Sequence, residues 1–118
     1  MDLIKINETI RDNELLIQTT FQLEKDFLNI GVNFDIQKPV IDYKQLFSFA
    51  STLVSKLNER DPKRILNLLY RIDLSDEKVQ SEMQISTLTF PELLAELIVK
   101  RELQKVIMKN YYSKPENQ

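Results

Sequence analysis

The side chains able to do chemistry in this chain are carboxylates, amines, guanidinium groups, phenols and hydroxyls. Histidine and cysteine are absent, and glycine occurs once, at Gly31. That set closes most routes by which a small domain becomes a metal protein or a familiar enzyme. A zinc site needs Cys or His, and a di-iron bundle needs Glu-x-x-His pairs. Serine and cysteine triads need an imidazole or a thiol. A phosphate-cradling loop needs several glycines, and no EF-hand spacing of acidic residues is present. No cofactor and no metal site is therefore expected. Carboxylate pairs such as Glu92 and Glu96 retain the capacity for acid–base work, but carboxylates in a first helical turn also simply favour the helix dipole.

Charge is arranged in blocks. Residues 1–36, 37–71, 72–96 and 97–118 carry net charges of −4, +4, −5 and +3. Antiparallel neighbours that neutralise one another account for such alternation. The same blocks also place Arg60, Lys63, Arg64 and Arg71 on one basic segment, a patch suited to a phosphate or an acidic partner. A helix-turn-helix reading of this region fails. Its reading helix would begin Asp76-Glu77-Lys78 and continue to Glu82, setting three carboxylates against phosphates. No specific duplex DNA is expected as a partner.

Two charges interrupt apolar faces: Glu24 lies among Leu16, Phe21 and Phe27, and Arg101 among Leu94, Leu97, Ile98 and Met108. A buried ion is costly without a partner. The sequence therefore predicts either a Glu24–Arg101 pair, a Glu24 pair with Arg64 or Arg71, or side chains that reach a rim. Arg101, Lys105 and Lys109 recur at four-residue spacing, as suits the last turns of a helix.

These residues need rods to hold them. Asn7 is positioned to cap a long helix running to about Ile30, with Leu16, Leu23, Phe27 and Ile30 as one stripe and Ile10, Ile17, Phe21 and Leu28 as a second. Gly31 suits the left-handed residue that closes it. Val32, Phe34 and Ile36 then alternate with polar residues up to Pro39, an extended connector laid over the core. A second helix spans about Asp42 to Glu59, with Tyr43, Leu46, Phe47, Ala50, Leu53, Val54 and Leu57 on one face. Asp61-Pro62 restarts the chain as a third helix, which buries Ile65, Leu66, Leu68, Leu69 and Ile72. Ser75 caps a short fourth. Thr89 and Glu92 form a capping box, flanked by Leu88 and Leu93 as a hydrophobic staple, for a last helix running to about Tyr111.

That last helix is apolar on two sides: Leu93, Leu94, Leu97, Ile98 and Met108 on one, Ala95, Val99, Leu103 and Val106 nearly opposite. Such a helix is either central in its bundle or shared with another chain.

Leu, Ile, Val and Phe make up roughly a third of the 118 residues, well above the roughly one-fifth at which disorder is expected. The expectation is an all-α, four- to five-helix bundle, one domain over 1–112 with a disordered tail over 113–118. The N-terminus does not read as a secretory signal, no run approaches membrane length, and the lack of cysteine suits the cytoplasm. The function expected is a non-catalytic protein–protein interaction module (adaptor, regulator or assembly component), with a protein partner or a homodimer docked on the seam of Val99, Leu103 and Val106. The alternative is a phosphorylated ligand or nucleic-acid backbone held by Arg60, Lys63, Arg64 and Arg71. A third is an enzyme using carboxylates and lysine.

Overall fold

The computed structural model describes residues 3–113, and their side chains from residue 11 onward. It is all-helical: α1 (Leu3–Asn29), α2 (Tyr43–Arg60), α3 (Pro62–Arg71), α4 (Asp76–Ile85) and α5 (Phe90–Ser113). No strand occurs among the described residues. Among the described residues no helix is long and apolar enough to cross a membrane. The positions of the tail from 114 lie outside the described residues, while Ser113 still belongs to α5.

Most helix ends follow their local chemistry. Asp42 Oδ1 accepts from the Gln45 amide at 2.8 Å and starts α2. Ser75 Oγ accepts from the Lys78 amide at 3.2 Å and starts α4. At α5, Thr89 Oγ1 accepts weakly from the Glu92 amide (3.4 Å) and donates to the Glu92 carboxylate (2.7 Å), so the box closes through the hydroxyl. Asp61 departs from expectation. It occupies the cap position of α3, but its carboxylate makes no cap bond and accepts from Arg64 Nε at 2.9 Å instead. Asn7 is not the start of α1, because the helical backbone already begins at Leu3.

Helix α5 is the axis of the bundle. It packs against α2, α1 and α4, while α3 lies across α2 and α1. Most of both its apolar sides is buried: Leu93, Leu94, Ala95, Leu97, Ile98, Val99 and Val106 are inside, while Leu103 is half-buried. All of the buried ones but Val106 meet Leu16, Leu23 and Phe27 of α1, Leu46, Ala50 and Val54 of α2, and Ile65, Leu68 and Leu69 of α3 in one cluster. Met108 falls outside this core and is exposed. Leu66 is exposed too, because the inward face of α3 is the stripe Ile65, Leu68, Leu69 and Ile72 and Leu66 points off it.

The connector between α1 and α2 is extended and buries alternate residues, Val32, Phe34 and Ile36. Phe34 stacks between Phe27 (ring centroids 5.1 Å apart) and Phe49 (4.9 Å, edge-on), which pins the connector over the core. Its Lys38–Pro39 peptide bond is cis.

The turn into the connector depends on Gly31. Its φ is +80°, and a Cβ there would come within 3.2 Å of Arg64 Nη1, the atom that donates to the Gly31 carbonyl at 2.9 Å. Gly31→Ala is expected to lower stability by about 1–3 kcal/mol through the positive φ. Urea unfolding of wild type and variant measures it, and an unchanged midpoint contradicts the account.

Candidate functional site

Two surfaces in this bundle carry unusual chemistry: a buried pair of acids inside it, and an apolar groove on its outside.

The buried acids are Asp26 on α1 and Glu102 on α5, 3 % and 0 % exposed. Asp26 sits one turn after Leu23 and Gln22 and is held from two sides. Gln22 Nε2 donates to Oδ2 at 3.0 Å and Arg71 Nε to Oδ1 at 3.2 Å. Neither oxygen of Glu102 meets a donor from the protein. What faces it at hydrogen-bonding range is the Asp26 carboxyl. Two acceptors make a bond only if one of them carries a proton, and the environment decides which. Burial, then the Asp26 hydrogen bond and the Asp26 charge, push Glu102 up to about 9, against weaker pull from Lys105 and Arg101. Burial also acts to raise Asp26, but hydrogen bonds from Glu102, Gln22 and Arg71, with Lys105 nearby, together outweigh it and hold Asp26 below the ordinary carboxylate value. At neutral pH the pair is therefore one neutral acid donating to one carboxylate. It ties α1, α3 and α5 together.

The sequence-predicted charges lie elsewhere. Glu24 does not meet Arg101, Arg64 or Arg71. It faces Lys38 of the connector, whose Nζ lies 2.9 Å away. Arg101 is partly buried, and its Nε donates to the Ile72 carbonyl at the end of α3 at 2.9 Å. The buried carboxylates are two residues further along α1 and one further along α5. Glu102 had a visible signal: it is the polar member of the stripe Ala95, Val99, Glu102, Val106.

The basic patch is split. Arg71 is committed to Asp26, and Arg64 to Asp61 and to the carbonyl of Gly31. Both brace α3 against the end of α1. Arg60 and Lys63 are exposed. In the last-helix seam Val99 and Val106 are buried by the chain itself, and Leu103 is partly buried beside Tyr43 and Phe47. Most of the apolar surface of the seam is thus buried within the chain, while Leu103 keeps part of its surface in a groove of about 380 Å³. Glu92 and Glu96 are likewise engaged, with Thr89 and with Lys100 at 2.8 Å.

The apolar excess reappears on α1. The stripe of Ile17, Phe21 and Leu28 points away from the core, and Ile17 and Phe21 are 53 % and 57 % exposed. Beside it the connector turns outward at Pro39, Val40 and Ile41, with Ile41 77 % exposed. Between the two lies a groove of about 390 Å³, floored by Leu16 and Thr20. Lys38 closes one rim, its ammonium 4.9 Å from the centre of the Phe21 ring.

Among the described residues no group of three or more carboxylates is placed to hold a metal ion. No protein-family model, curated protein or solved structure matches this chain.

The acid pair makes stability depend on pH. Native Glu102 holds its proton up to about 9, whereas an unperturbed carboxyl releases it near 4.5. Between these values the native state binds the extra proton, so the contribution of Glu102 is complete below 4.5 and is lost as pH rises towards 9. Asp26 has the opposite sign: its contribution is present above 3.8 and fades as pH falls below that. Glu102→Gln keeps a donor to Asp26 and removes the titration. Denaturant unfolding from about pH 5 to about pH 9 is expected to show wild type losing stability relative to the variant, by up to about 1.4 kcal/mol per pH unit. Parallel curves contradict the assignment.

Proposed function

We propose that this chain is a non-catalytic helical protein–protein interaction module, and that its contact surface is the outer face of α1 together with the end of the connector. The groove between Ile17 and Phe21 on one side and Pro39, Val40 and Ile41 on the other supports this reading. Contiguous exposed apolar surface with a polar rim is characteristic of association sites rather than of free monomer surface. Fully burying a side chain of this size is worth roughly 1.5–3 kcal/mol, and Ile17, Phe21 and Ile41 each have half or more of their surface still to bury.

The competing readings are less well supplied. A phosphate-bearing ligand on α3 would find Arg64 and Arg71 already occupied with structural acceptors. Of the carboxylate pairs, Asp26 and Glu102 are sealed from solvent, and Glu92 and Glu96 are engaged with Thr89 and Lys100. A chain with no cysteine fits work in a reducing cytoplasm.

Photo-crosslinking in the cells that make the protein tests the surface. A photoreactive residue at position 21 is expected to give a defined cross-linked species, and the same residue at exposed Gln80 on α4 is expected to give none. Phe21→Glu combined with a crosslinker at 17 is expected to lose that species while the far-UV spectrum stays helical. Equal labelling from positions 21 and 80 contradicts the reading.

A further inference from the structure

We propose that the occupant of the α1 face is a second copy of this chain, with the two α1 helices packed antiparallel about a two-fold axis midway between Ile17 and Phe21. This rests on the reading of α1 as the association surface and names its partner.

The stripe is self-complementary under that operation. A helix advances 1.5 Å per residue and repeats every 3.6, so residues four or eleven apart share a face. Ile17, Phe21 and Leu28 obey this spacing and are exposed. Reversing the helix about the level of residue 19 sets Ile17 on the partner's Phe21 and Phe21 on the partner's Ile17. Leu28 comes level with position 10, an isoleucine in the sequence. The contact is isologous, as the commonest soluble dimers are.

Charge supplies the independent support. Glu14 and Lys25 are eleven residues apart, so they lie on the same flank of the stripe, and both are exposed. Neither makes an ion pair among the described residues. In a two-fold antiparallel pair a flank faces its own copy. Glu14 then comes within one residue, about 1.5 Å along the axis, of the partner's Lys25, and the symmetric pair forms at the other end. A parallel two-fold arrangement would instead turn this flank towards the opposite one and leave Glu14 eleven residues, about 16 Å along the axis, from the partner's Lys25. The other flank carries the groove, where Ile41 loses its exposure against the partner's α1. Charges thus select the antiparallel register, and the apolar stripe drives association.

Sedimentation equilibrium of the full-length protein over a range of concentrations tests this. The expected species is twice the 14.0 kDa chain mass. Glu14→Lys and Lys25→Glu should each weaken dimerisation about tenfold at low salt, since each converts two attractions into repulsions. The double swap should restore it, and Phe21→Glu should leave a helical monomer. A protein that stays at the single-chain mass throughout overturns the proposal, as does a dimer indifferent to Phe21→Glu or a double swap weaker than either single change. A single-chain mass together with a cross-link from position 21 to a protein of another size removes the second copy while leaving the association surface standing. Absence of both removes the surface itself.

Discussion

A carboxyl group with no donor to bond to, enclosed at the centre of a helical bundle, is the constraint around which this protein is built. Helix α5 can be central only if Glu102 is made tolerable there. Charged and alone it would be very unfavourable, because an unpaired buried ion costs several kcal/mol. Kept protonated against Asp26, it becomes a neutral donor to a carboxylate that Gln22 and Arg71 already hold. The arrangement resembles two acids sharing one proton, in which like charges at contact cannot both ionise. Its structural consequence is registry. Asp26 draws α1 and α3 to the point on α5 where a buried carboxyl interrupts the apolar surface.

Once α5 is committed to the centre, the rest follows by exclusion. The first four turns of its two apolar sides are largely buried within one chain by α1, α2 and α4. The cations of α3 close the bundle: Arg64 reaches the carbonyl at the end of α1 and Arg71 reaches Asp26. Their geometry binds helices rather than ligands. Helix α1 then presents apolar residues on a solvent-facing stripe over several turns, at Ile17, Phe21 and Leu28. The connector reinforces it by burying Phe34 and Ile36 and then turning Ile41 outward.

The helical architecture was legible in the sequence because periodicity and punctuation agreed. Asp42, Ser75 and Thr89 lie at helix starts, and Gly31 adopts the positive φ that its place after α1 demands. What was less legible is which of two apolar faces turns inward. On α1 both stripes read equally well, and only the packing of Leu16, Leu23 and Phe27 decides that the other faces solvent. On α5 the two sides invite a second chain, but a helix gripped by three others needs none. The buried charges were misplaced for a related reason. A helical wheel locates a polar interruption to within a residue or two, whereas burial changes completely over that distance. Glu24 and Arg101 flank the core, and Asp26 and Glu102 lie inside it. Arg64 and Arg71 looked like a patch because a sequence does not reveal that the Gly31 carbonyl and Asp26, thirty or more residues away, accept from them.

The shared proton is accessible to direct observation. With carboxyl carbons labelled, NMR titration follows Asp26 and Glu102 separately through the pH range in which the fold persists. The account predicts that the Glu102 carboxyl remains in its protonated form at neutral pH and begins to titrate only towards about 9, with Asp26 ionised throughout. A Glu102 signal that titrates as an ordinary glutamate, near 4.5, would contradict it.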